Sequence, residues 1–118
     1  MTENTSKKNE DRDPNALIAQ FQILQQQLQN VMIQKETLNM SIMEIERAIE
    51  ELDKTKETDA YKITGTVMVK KPVENLKNEL EESEEALKIR MNSVEKSEKL
   101  LTDKLKEIQS KLQEILKK

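Results

Sequence analysis

Ala60-Tyr61-Lys62-Ile63-Thr64-Gly65-Thr66-Val67-Met68-Val69-Lys70 lies near the middle of this 118-residue chain and collects its only tyrosine, its only glycine and a cluster of β-branched residues. Tyr61 and Ile63 alternate with Lys62, and Val67 and Val69 alternate with Met68. Alternation with period two is the pattern of a strand. Thr64-Gly65, between the two runs, supplies the residue that tolerates positive φ in a tight turn, so the stretch reads as a β-hairpin.

Moving outward, the period changes from two to three and a half. On the N-terminal side Leu17, Phe21, Leu24, Leu28, Val31, Lys35, Leu38, Ile42, Ile45, Ile49 and Leu52 recur at spacings of four and three, an a/d heptad stripe broken only by Lys35. Asp13-Pro14 suits its start: a carboxylate accepts from orphan backbone N–H groups, and proline costs nothing at the first helical position. On the C-terminal side Pro72 can open a second helix, carrying Val73, Leu76, Leu80, Leu87, Met91, Val94, Leu101, Leu105, Ile108, Leu112 and Ile115. This stripe slips by half a heptad between Leu80 and Leu87, and Glu98 occupies a core-phase position, which predicts local unwinding or a looser contact there. Glu-to-Lys pairs at i,i+4, including Glu50/Lys54, Glu84/Lys88, Glu95/Lys99, Glu107/Lys111 and Glu114/Lys118, support both helices.

The expected organisation is a polar, disordered tail over residues 1–13 and one domain over 14–118. Within it, helix 14–56, hairpin 57–71 and helix 72–118 are anticipated. A connection this short brings the second helix back antiparallel to the first, putting Leu52 near Val73, Phe21 near Leu105 and both termini at one end. The fold class is therefore mainly α, a long two-helix antiparallel coiled coil joined by a β-hairpin. A lone two-stranded hairpin is marginal in water and its edges invite pairing, so Tyr61, Ile63, Gly65, Val67, Met68 and Val69 are expected to form an assembly site between subunits.

Composition narrows the function. Hydrophobic residues are 35% and charged residues 36%, with aromatics at 2%, too little for a globular core. There is neither cysteine nor histidine, which removes thiolate and imidazole nucleophiles and nearly all zinc sites, so no catalytic residue, metal or cofactor is expected. The carboxylates Glu79, Glu81, Glu82, Glu84 and Glu85 are spread around a helix and read as a solvated face. No apolar run approaches the roughly 18 residues of a membrane span, and residues 1–15 lack the apolar stretch of a signal peptide, so the default location is cytoplasmic. A net charge of −3 with both signs interspersed offers no footprint for nucleic acid.

The hairpin stretch 60–70 resembles that of beta-class prefoldin subunits: Tyr-Lys, an apolar residue, a glycine turn and an apolar triplet ending in Lys. Leu87-Lys88-Ile89-Arg90-Met91-Asn92-Ser93-Val94-Glu95-Lys96-Ser97-Glu98 is similar to a second family stretch, Leu-x-x-Arg followed by an apolar-Glu-Lys-x-Glu run. The likeness covers residues 14–116, with Lys71-Pro72 replacing the usual acidic run-in to the second helix. The resemblance implies an ATP-independent cytosolic chaperone, a hetero-hexamer of two alpha-class and four beta-class subunits whose hairpins form β-barrels. Unfolded proteins would be held at the coiled-coil tips and passed to a group II chaperonin.

The residues of the tips read the same way independently. Leu17, Ile18, Phe21 and Ile23 face Ile108, Leu112, Ile115 and Leu116, and Ile18, Ile23 and Leu116 fall outside the a/d positions, where they stay exposed even in a closed coil. Such a surface grips nonnative chains without a sequence code. Met32, Ile33, Met40 and Met43 also lie off the seam. The competing readings are a structural antiparallel coiled-coil scaffold without client binding and an RNA-binding helical arm; the latter lacks its basic stripe.

Overall fold

The computed structural model describes residues 13–117. Helix α1 spans Pro14–Lys54, strand β1 Asp59–Thr64, strand β2 Val67–Pro72 and helix α2 Val73–Leu116. The disordered tail expected over residues 1–13 lies, but for Asp13, outside the described residues, as do Lys118 and the Glu114/Lys118 pair. The architecture is two long helices with a two-stranded antiparallel hairpin between them.

Each helix begins where its backbone chemistry dictates. Asn15 N–H donates to Asp13 Oδ1 at 3.0 Å and Leu17 N–H to the Asp13 carbonyl at 3.1 Å, so Asp13 caps α1 and Pro14 takes the position with no N–H to satisfy. At its other end Lys54 closes on Glu50 at 3.1 Å in the last turn. Pro72 is the last residue of β2 rather than the first of α2, paired with Asp59 at the open end of the ladder. A proline is tolerated at a strand terminus because no ladder donor is required of it there. The helix opens instead at Val73, whose N–H donates to the Thr58 carbonyl at 2.9 Å.

The turn also differs from expectation by one residue. Thr64 belongs to β1 and pairs with Val67, leaving Gly65 and Thr66 as the two turn residues. Gly65 has φ of 61°, and no non-glycine residue has positive φ among the described residues. Positive φ at the first turn position alone is the type II′ pattern, whose backbone twist matches that of the strands it joins.

The described residues fall into two compact units: residues 13–34 with 94–117, and residues 35–93, which include the hairpin. In the first, Leu17, Val94 and Ile108 are buried, and Leu17 is fully excluded from solvent. Leu24 and Ile108 line one groove, while Leu28 and Leu105 line another. In the second, Leu38, Ile42, Val73, Leu76 and Met91 form the core, and Asp53 and Glu46 meet Lys77 and Lys88 at 2.7 Å and 3.9 Å. Partners advance along α1 as they recede along α2, so the packing is antiparallel in each unit.

The register is not the one expected. Leu105 stands by Leu28 rather than Phe21, and Leu52 shares a cavity with Leu76 and Leu80. The paired helical residues are nearly equidistant in sequence from the Gly65-Thr66 turn, as are the paired strand residues. At the stripe's slip between Leu80 and Leu87, half-buried Glu84 occupies the vacant phase and reaches Lys88 at 3.6 Å. Lys35 and Glu98 are both half-buried, and Thr102 Oγ1 donates to the Glu98 carbonyl at 2.8 Å.

Candidate functional site

Strand register decides what the hairpin presents. Ile63 pairs with Met68 and Tyr61 with Lys70, whereas Lys62 pairs with Val69 and Thr64 with Val67. Directly opposite residues project to the same side of a sheet. One face therefore carries Tyr61, Ile63 and Met68, and the other carries Val67 and Val69 with Lys62 and Lys71. The hairpin is apolar on both faces, a point that simple alternation along each strand did not reveal.

All five large apolar hairpin residues are exposed, from 39% at Val69 to 72% at Ile63. They are not buried against the chain's own helices. The face with Val69 is turned toward α2, since its lysines reach Glu79 there: Lys71 Nζ at 2.7 Å and Lys62 Nζ at 3.4 Å. On the other face Lys70 lies 3.7 Å from Asp59. Glu79 is held below the ordinary carboxylate value of 4.5, chiefly by its hydrogen bond from Lys71 and also by Lys62. The reading of the acidic run as a solvated face suits exposed Glu81, Glu82 and Glu85; it does not suit Glu79 and Glu84, which are half-buried. The signal for Glu79 lay in the hairpin: with Gly65 in the turn, Lys62 and Lys71 share one face.

The second candidate set divides by burial. Leu17 and Ile108 are buried, Phe21, Leu112 and Ile115 are half-buried, and Ile18, Ile23 and Leu116 are exposed, Leu116 at 80%. Ile23, Leu24 and Ile108 share a groove of about 380 Å³ with Gln20, Gln27, Lys104, Glu107 and Lys111. The exposed members are those off the heptad seam, and these present the most apolar surface while the helices remain packed. Met32, Ile33, Met40 and Met43 are likewise exposed. Among the described residues, no group of three or more His, Cys, Asp or Glu side chains is placed to hold a metal ion, and no helix is long and apolar enough to cross a membrane.

The family model described as "Prefoldin subunit" matches residues 15–118. The chain belongs to the prefoldin family. Among its relatives, the prefoldin subunit beta of Thermococcus onnurineus is 40% identical over 103 residues, covering 86% of this chain and 89% of the relative. That of Archaeoglobus fulgidus is 40% identical over 101 residues, covering 85% and 87%. The crystal structure of the prefoldin beta subunit from Thermococcus strain KS-1 is similar with a TM-score of 0.84 at 34% identity, covering 89% of this chain and 93% of that one. Prefoldins are a chaperone family.

Proposed function

We propose that this chain is a beta-class subunit of an ATP-independent, cytoplasmic holdase that assembles through its hairpin and holds nonnative polypeptide with the apolar residues near the two helix ends. The assembly is a hetero-hexamer of two alpha-class and four beta-class subunits, with the hairpins closing an intersubunit β-barrel through Tyr61, Ile63, Gly65, Val67, Met68 and Val69. Closing a barrel removes the open strand edges that a lone hairpin carries. Client is gripped by Leu17, Ile18, Phe21, Ile23, Ile108, Leu112, Ile115 and Leu116 and released to a group II chaperonin. The observation that carries this reading is the exposure of every large apolar residue of the hairpin in a chain of the prefoldin family. A two-stranded hairpin with apolar residues on both faces is marginal in water, and strands from other chains would cover it.

The test is suppression of aggregation. The chain assembled with an alpha-class partner, at stoichiometric amounts, is expected to slow light scattering by a chemically denatured protein diluted into buffer without ATP. An assembled particle that leaves the aggregation rate unchanged is the outcome expected of a coiled-coil scaffold, and it refutes the holdase reading.

A further inference from the structure

One carboxylate of the α2 acidic run is placed to do more than solvate a helix. Two ammonium groups converge on Glu79 from different strands and take different oxygens: Lys71 Nζ is 2.7 Å from Oε1 and Lys62 Nζ is 3.4 Å from Oε2. Three elements, β1, β2 and α2, therefore meet at a single half-buried side chain.

Few side chains tie the hairpin to the helices, since its large apolar residues are all exposed. Beneath it lies an open cavity of about 610 Å³, lined by Leu52, Ala60, Tyr61, Leu76, Glu79 and Leu80 among others. At the base, the Val73 N–H bond to the Thr58 carbonyl fixes a point of attachment. The chain also runs from Pro72 straight into Val73, so these links hold the base of the hairpin and leave its tilt over the cavity to side chains. Two lysines from separate strands, bound to separate oxygens of one carboxylate, oppose a change in that tilt.

We propose that Glu79 is a positioning residue for assembly, a strut that sets the angle of the hairpin on the helix pair through Lys62 and Lys71. Partly exposed ion pairs add little to global stability, so the strut acts on orientation, and orientation decides whether hairpins from separate chains meet edge to edge. This inference rests on the hairpin being the assembly surface.

The chain has no native cysteine, so Thr66→Cys and Glu82→Cys carry a unique pair of spin labels that report the hairpin's angle by pulsed electron resonance. The parent should give one narrow distance. Glu79→Gln and Lys71→Gln should each broaden it, the double variant should be no broader than either single, and Lys71→Arg should keep it narrow. Unchanged circular dichroism separates a loosened hairpin from lost helix. With the alpha-class partner present, Glu79→Gln should weaken assembly by roughly fivefold at most, as suits a partly exposed pair. An unchanged distance distribution in Glu79→Gln overturns the strut, and a broadened distance with unchanged assembly overturns its role in assembly. If Ile63→Asp leaves the particle mass unaltered while Glu79→Gln still broadens the distance, the hairpin-assembly reading fails and the strut remains as an orienting contact alone.

Discussion

Ile63 stands directly opposite Met68 across the hairpin, and both side chains face solvent, exposed at 72% and 63%. Because neither is packed within its own chain, replacing either tests association without disturbing the fold. Ile63→Asp should leave helical content and unfolding temperature unchanged while shifting the mass measured by light scattering from a large particle to small species. An ion placed in a closed apolar interior is costly. Val69→Asp lies on the other face, toward α2; a similar shift there indicates that both faces are covered in the assembly.

Gly65 isolates a conformational cost. A methyl group added at its Cα meets nothing within 4 Å, so no clash follows, yet φ is 61°. Gly65→Ala should therefore destabilise the turn by about 1–2 kcal/mol, the penalty of placing an L side chain in left-handed backbone. Amide hydrogen exchange should speed up in Asp59–Pro72 and remain unchanged along most of α1 and α2.

Leu17 and Ile23 separate stability from binding. Leu17 is fully buried and Leu17→Ala should cost about 2–5 kcal/mol, read as a lower thermal midpoint. Ile23 is 59% exposed, so Ile23→Ala should change stability by less than about 0.5 kcal/mol. If the exposed residues grip client, Ile23→Ala and Ile18→Ala should nevertheless weaken suppression of aggregation. Equal suppression by parent and double variant would refute that assignment.

The ion pairs give opposite pH signatures. Glu79 is lowered by its hydrogen bond from Lys71, then by Lys62, so the stability it contributes is present above its ordinary value of 4.5 and is lost as pH falls through its depressed one. Lys77 is raised by its hydrogen bond to Asp53, with Glu74 and Glu81 adding smaller attractions, so its contribution is present below 10.5 and is lost only as pH rises beyond that. Denaturant midpoints of the parent and Glu79→Gln should therefore differ near neutrality and converge in acid. Those of the parent and Lys77→Gln should converge in strong alkali. A difference for Glu79→Gln that persists in acid would assign its effect to shape rather than charge.

Much of the fold was legible in local pattern. The a/d stripes around Leu24 and Leu105 place two long helices, and Asp13-Pro14 marks the first helix's start. Gly65 among β-branched residues places a hairpin between the helices. These are properties of a few consecutive residues: side-chain spacing, a missing N–H, tolerance of positive φ. Ile18, Ile23 and Leu116 could be picked out as off-seam by counting alone, and they are exposed in the folded chain.

What counting could not supply was every relation that depends on register. The hairpin's two turn residues, Gly65 and Thr66, determine which strand residues share a face, and so divide Tyr61, Ile63 and Met68 from Val67 and Val69. Leu105 lies by Leu28, and half-buried Glu84 sits where the heptads slip. A heptad stripe repeats every seven residues, so its sequence alone is nearly indifferent to a shift of one repeat. Glu79 looked like one of five solvated carboxylates because its partners, Lys62 and Lys71, lie far from it in sequence and meet it only when two strands and a helix converge. The sequence by itself determined the elements and the family resemblance, and the tertiary structure decided which side chains those elements bring together.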